Sequence, residues 1–306
     1  MNVNSRRFKA VDILLLTGAI LPLAAAILLK VLTTPLSEGI NITGAMIYFT
    51  IPMPVQDLPI TEAQIVSAAV VLTILFLCLY LTHGITVVPN SRRQLVAEWI
   101  VEKCQGMVDT NMGPYFKGFG PFVAAVMVLS ALSSLSSLLG LFPPTSDINV
   151  VAGWAILVFI LITYYKLKAG LWFYVKGFAE PVPFLLPMNI ISEAATPVSM
   201  SFRHYGNILS GSIISALLAA AFAGLSNMLL GWIPVVGEIP LLRIGIPAVL
   251  SLYFDIFSGG LQAFIFATLT MMYVSGGFPQ SEFEARKAKR EAKKKAKLEA
   301  KLAKAA

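Results

Sequence analysis

Apolar side chains gather in six runs, at about 11–32, 62–82, 119–142, 149–165, 185–232 and 244–275, with polar segments between them. A membrane-crossing helix needs roughly 20 predominantly apolar residues, so each run is a candidate span. The fifth is too long to stand upright. At 1.5 Å per residue it would reach about 70 Å, over twice the hydrocarbon thickness. It is either a hairpin turning near Gly206–Asn207 or one strongly tilted helix, for which Pro197, Gly206 and Gly211 offer bending points. The sixth run, also long, is expected to lean with it.

Charge separates the two solutions. With the spans alternating and both termini cytoplasmic, the inner segments carry Arg6, Arg7 and Lys9; Arg92, Arg93, Lys103 and Lys117; and Lys166, Lys168 and Lys176. The outer loops, 33–61, 143–148 and 233–243, carry only Arg243. This is a strong positive-inside bias. A hairpin would add a crossing and put the cationic C-terminal tail outside, so a single tilted helix is expected. Residues 91–110 differ: Leu95, Trp99 and Ile100 share one face among many charges, which predicts an interfacial amphipathic helix. A cytosolic helix packed on other protein is the alternative. In the first run, "LPLAAA" at 21–26 faintly resembles a signal cleavage site, but the apolar run continues past it and a retained helix is expected. The fold class is an all-α membrane protein of about six hydrophobic helices plus one interfacial helix.

Composition agrees. The 306 residues are 57% hydrophobic and 13% charged, against about 25% charged in soluble domains. The net charge of +7 is local, because residues 281–306 hold ten lysines and arginines against four glutamates. That tail is helix-prone but apolar on no face, hence solvated, and it suits anionic lipid headgroups or acidic subunits. Nucleic acid is not expected as a partner, since no folded basic domain accompanies the tail. Cys78 and Cys104 form no disulfide framework, and no Cys/His cluster offers a metal site. No G-x-x-x-x-G-K-[ST] loop occurs, so this chain is not expected to bind nucleotide, and no cofactor is implied.

The candidate chemistry lies in the last two runs. Between Phe184 and Ile233 the charged or imidazole side chains are Glu193, Arg203 and His204. An arginine at mid-membrane costs about 2.5–3.5 kcal/mol on insertion scales and cannot shed its proton. Glu193, about 15 Å back along the helix and some 80° around it, is poorly placed to pair with it. Ser199, Gly206, Asn207, Ser210 and Gly211 share the arginine's side of the helix. Such small side chains let another backbone come close. They fit either a static helix–helix interface or a positive charge presented to a carboxylate on another chain. In the sixth run Ser251, Asp255, Ser258 and Gln262 share one face. That stripe reads as an ion path or as polar groups satisfying one another between helices. Asp147 and Asn149 read as caps of the helix that follows, or as lining of the outer mouth.

"MNIISEAATPVSMSFRHYGNILSG", "GGLQAFIFATLTMMYV" and "SSLLGLFPPTSDINV" resemble the a subunit of rotary F-type ATP synthases over about residues 60–278. The resemblance implies a stator with two half-channels that carry protons or Na+ to and from the carboxylates of a c-ring, driving rotation and ATP synthesis. It implies that the last two tilted helices pack as a hairpin against that proteolipid ring, and that b-type peripheral stalk subunits are further partners. Catalysis would belong to other subunits. Arg203 matches the family's arginine facing the ring, Asn207 the asparagine one turn on, and Gln262 the glutamine facing the arginine. Glu193 matches an acidic position near a half-channel. Two departures stand out. The usual Arg-Leu-Phe-Gly-Asn is "RHYGN" here, with His204 and Tyr205, and Ser212 stands where many relatives carry Glu or His. Asp255 is therefore expected to supply the carboxylate that position 212 lacks. His204, Ser212, Ser199, Ser210 and Ser258 are candidate modulators, with packing or hydrogen bonding favoured over proton relay for His204. The expected organisation is an N-terminal helix and external loop (1–59), the a-subunit membrane domain (60–278) and a basic cytoplasmic tail (279–306). The location implied is a bacterial plasma membrane. A self-contained secondary transporter using an Arg/Asp site is the competing function, although no inverted repeat is visible. A purely structural scaffold would leave Arg203, Asp255 and Gln262 without purpose.

Overall fold

A computed structural model describes residues 3–34, 44–88, 91–168, 170–179, 182–230, 249–250, 252–281, 283–285, 287–289 and 291–292. Its helices are α1 (Val3–Thr33), α2 (Glu62–Thr82), α3 (Arg92–Met112), α4 (Gly120–Leu135), α5 (Ile148–Leu167), α6 (Leu171–Phe178), α7 (Leu186–Leu230) and α8 (Gly259–Gly276). Six helical stretches are long and apolar enough to cross a membrane, at Lys9–Thr33, Glu62–Thr82, Pro114–Leu139, Ile148–Leu167, Pro183–Leu229 and Phe254–Gly276. The fifth is one uninterrupted helix of 45 residues that accommodates Pro197. It is not a hairpin. Ser251, Arg243, the outer loop 233–243 and tail residues 293–306 lie outside the described residues, as do the side chains of Arg6 and Arg7.

Two features were not expected from the sequence. Strands β1 (Ile47–Ile51) and β2 (Leu58–Thr61) pair antiparallel, with Ile51 opposite Leu58, just before α2. Each strand is too short for its alternation to register beside the long helical runs. The second is a π-helical turn, Phe254–Ser258, leading into α8. Such a turn inserts one residue into the helical phase and is common at functional sites.

The N-terminal helix is fastened at both ends. Asp12 Oδ1 lies 2.7 Å from Arg93 Nη1 and 3.1 Å from His83 Nδ1. At the opposite end Lys30 Nζ meets Glu62 Oε1 at 2.8 Å, and the same oxygen accepts the Phe142 N–H at 2.8 Å. Between them Thr73 Oγ1 donates to the Ala19 carbonyl at 2.9 Å. Gly18 gives room to the Phe76 ring, which would lie 2.7 Å from any Cβ there. The buried Glu62 thus has its counter-charge in Lys30.

In α3 the Ser91 hydroxyl caps the start by accepting the Gln94 N–H at 3.2 Å. Cys104 and Val108 are buried, while Leu95 and Trp99 stay open to the outside, as an interfacial helix requires. Asp147 caps α5, accepting the Asn149 N–H at 2.9 Å. The core joins α3, α4, α5, α7 and α8 through Val108, Val123, Val158, Met200, Phe266 and Met271. Phe278 stacks on Tyr115 at 4.4 Å, and Lys168 Nζ sits 4.4 Å over the Tyr165 ring. The start of the tail is thereby held at the lysine-bearing ends of α5 and α6.

Helix α8 approaches α4 at Gly259, where an added Cβ would stand 2.8 Å from Ser134 Cβ; at Gly260 the same atom would meet open space. Gly259→Ala is therefore expected to cost about 1–3 kcal/mol by overpacking, while Gly260→Ala is neutral. Thermal inactivation of the purified proteins measures the difference, and equal stability of the two variants would refute the close approach.

Candidate functional site

Arg203 lies near the middle of α7 with its side chain exposed. Among the described residues no carboxylate pairs with it and no hydrogen bond holds it. Ser199, Asn207 and Ser210 are exposed on the same side. At Gly206 and Gly211, apart from the helix's own neighbouring backbone, no atom of the described residues lies within 4 Å of where a Cβ would be. Around Arg203, Ser199 and Ser210 this side of α7 is open among the described residues, while Asn207 and Gly211 meet the elements that line the small cavity. The hydroxyls do not project freely, since Ser210 Oγ donates to the Gly206 carbonyl at 2.6 Å and Ser212 Oγ to that of Leu209 at 2.8 Å. Both satisfy themselves on their own helix.

Asn207 and Gln262 are brought together. The Asn207 amide donates to Gln262 Oε1 at 2.8 Å, joining α7 to α8. Gln262 is buried, so its carbonyl needs this donor. Nearby, Asn207, Ser212, Asp255 and Ser258 line one small cavity with Ser134 of α4. Its volume of about 10 Å³ is near the minimum for one water molecule. Ser134 Oγ also lies 3.2 Å from Thr145 Oγ1, in the turn before α5. The π-helical turn gives Asp255 its position: Asp255 and Ser258 reach the cavity while Gln262, farther along, reaches Asn207.

Glu193 occupies a different recess. A cavity of about 550 Å³ lies among α5, α6, α7 and α8, with Glu193 on its wall. Glu193 Oε1 meets Lys166 Nζ at 3.0 Å and accepts the Tyr174 hydroxyl at 3.0 Å. Burial first, then the Glu193 charge and the hydrogen bond to it, push the Tyr174 phenol up to about 12, so it stays a neutral donor. Lys166 and Tyr174 were not among the residues expected from the sequence. A lysine at the end of an apolar span reads there only as a topology marker, and α6 has no long periodic pattern to announce it.

His204 turns away from Arg203. It is fully buried, with Nε2 3.4 Å from Ser130 Oγ and its ring edge-on to Trp154 and Phe266 at 5.9 and 5.3 Å. Its Nδ1 has no hydrogen-bond partner among the described residues. Successive helical residues point about 100° apart, which is why the exposed arginine and the buried imidazole can be neighbours. Cys/His/Asp/Glu groups able to hold a metal are absent among the described residues.

Comparison with known proteins gives one consistent result. The family model described as ATP synthase A chain matches residues 64–275. A relative from Bacillus pumilus (strain SAFR-032), ATP synthase subunit a, is 32% identical over 66% of this chain and 86% of its own length. Subunit a of Bacillus subtilis (strain 168) is 31% identical over 71% of this chain and 91% of its own. The sodium ion specific subunit a of Propionigenium modestum is 28% identical over 82% of this chain and 89% of its own.

Asn207→Ala strands a buried carbonyl on Gln262, whereas removing both partners strands nothing. A double-mutant cycle with Gln262→Ala should give a coupling of about 1 kcal/mol in unfolding free energy. Strictly additive effects would show that the two amides do not support each other.

Proposed function

The chain belongs to the ATP synthase A chain family, and from that premise we propose how its ion path is laid out. It is a multi-pass, ion-translocating stator subunit of the F-type ATP synthase membrane sector. It is a membrane-sector subunit, and catalysis on nucleotide belongs to other subunits of the complex. The secondary-transporter alternative has no support from any relative.

In the proposed layout the uncovered face of α7 meets the proteolipid ring, and Arg203 stands opposite the ring's carboxylates. The observation that carries this is the exposed, unpaired guanidinium between two polar recesses on one helix. Glu193 lies ten residues before it, about 15 Å along the axis, and Ser212 nine after, about 13 Å. Protons or sodium ions enter from outside through the small Asp255–Ser212–Ser258 cavity and load a ring carboxylate. After nearly a full turn they leave through the larger Glu193 cavity. Arg203 favours the ionised ring carboxylate as it passes, the ordinary effect of an opposite charge. The same fixed charge opposes an ion slipping directly between the recesses. About 2.3 kcal/mol per charge is available for each 100 mV, and a leak at this point would dissipate it.

Peripheral-stalk subunits of the b type are proposed to hold the chain still, in a bacterial plasma membrane with the tail cytoplasmic. Two things support that orientation. The lysines of residues 166–176 and the start of the tail share one end of the bundle, and Arg93 lies with the N-terminal end of α1. Residues 60–278 would be the conducting unit, 1–59 an N-terminal helix with its loop, and 279–306 a tail for anionic surfaces.

Arg203→Ala is expected to abolish respiration-driven ATP synthesis in inverted membrane vesicles and to open a passive ion leak. Normal coupled synthesis in that variant would refute the assigned role. Asp255→Asn is expected to lose most ion-driven synthesis, because Ser212 offers no carboxylate to the shared cavity. Synthesis left intact in Asp255→Asn would remove Asp255 from the path.

A further inference from the structure

The ion pair across the larger cavity carries an inference that rests on the proposed exit at Glu193 and goes beyond it. We propose that Lys166 is a positioning residue of the ion path: its ammonium holds the Glu193 carboxylate on the cavity wall and sets how readily an ion is taken up there from the cytoplasmic side.

Three elements converge on one carboxylate. Lys166 reaches it from the end of α5 at 3.0 Å, Tyr174 from α6 at 3.0 Å, and α7 supplies Glu193 itself. The titratable or charged side chains facing this cavity are Lys166 from α5, Tyr174 from α6 and Tyr273 from α8, so Lys166 is its one cation among the described residues. Its stem crosses Gly277, whose added Cβ would lie 3.2 Å from Lys166 Cε. The lysine is therefore laid along the wall rather than free in the opening.

The consequence is directional. An ion arriving from the cytoplasmic side enters a site whose negative charge is already matched by the ammonium. It must displace Lys166 or share the carboxylate with it, and like charges disfavour sharing. An ion coming from the ring meets the same disfavour and passes on to water instead of lodging at Glu193. A low affinity suits an exit, where binding must be weak enough to release. Removing the ammonium turns the wall into a site that holds cations.

The test uses the whole complex in inverted vesicles, with ATP-driven pumping followed against the ion concentration on the cytoplasmic side. Lys166→Gln should lower the half-saturating concentration about tenfold, which for a proton is one pH unit toward alkaline. Lys166→Arg should keep the original dependence. Lys166→Met, whose unbranched stem fills similar space, is a second variant in which the same fall is expected. A merely structural lysine would change the amount of assembled complex and the maximal rate without moving half-saturation. Unchanged half-saturation in both neutral variants overturns the inference. Glu193→Gln, run in parallel, separates the two readings. If it pumps normally, the exit at Glu193 is wrong and the inference falls with it. If it is impaired while Lys166→Gln shows no shift, only the role of Lys166 is wrong.

Discussion

A guanidinium that cannot lose its proton has to be held at lipid depth without being neutralised by its own chain. Elsewhere three ion pairs match charges across the bundle: Lys30 with Glu62, Asp12 with Arg93, Lys166 with Glu193. Arg203 is left out of this pattern among the described residues, although insertion of such a group costs about 2.5–3.5 kcal/mol. A charge kept unpaired at that cost calls for a counter-charge supplied from outside, which the proposed proteolipid ring would bring and take away. The small side chains around it follow from the same demand, since any bulk at 199, 206 or 210 would keep a second helix away.

The rest of the fold supports that one exposed face by anchoring the opposite one. Helix α7 turns Met200, Ser201 and His204 inward, packing on α5, and touches α8 through the Asn207–Gln262 amides. Helix α8 in turn sits against α4, a contact close enough to need glycine at 259. The long helix is thus backed by α5 and, through α8, by α4, and Arg203 cannot relieve its exposure by rolling into the core. The same stacking creates the small cavity, because α4 contributes Ser134 to a wall otherwise built from α7 and the π-helical turn before α8.

Much of this was legible in the sequence, and the boundary of legibility has physical causes. The six spans, the unbroken α7, the interfacial α3 and the Asp147 cap all follow from local pattern and charge. Arg203 and Asp255 stood out because a charge in an apolar run is costly wherever the chain folds. Lys166 and Tyr174 did not, since each is ordinary at its own place and becomes notable only when α5 and α6 converge on Glu193. The α1 clamps are of the same kind: Lys30 and Glu62 are 32 positions apart and individually read as span-end charges. The π turn at Phe254–Ser258 was invisible because a one-residue change of phase leaves an apolar run apolar.

The two recesses differ in size and in how their carboxylates are held. The larger cavity, about 550 Å³, is roomy, and its carboxylate is fixed by two partners from two other elements. The smaller one, about 10 Å³, brings side chains of α7 and of the π-helical turn before α8 within the space of a single water molecule. In a recess that small, a carboxylate on either helix reaches the same point. The proposed path needs an acid at that location, and either wall is placed to supply it. Ser212 on α7 and Asp255 in the turn before α8 both line it, so in the proposed path an acid on the second wall would serve where the first carries a serine. The larger cavity has no such freedom, because moving Glu193 to another helix would separate it from both Lys166 and Tyr174.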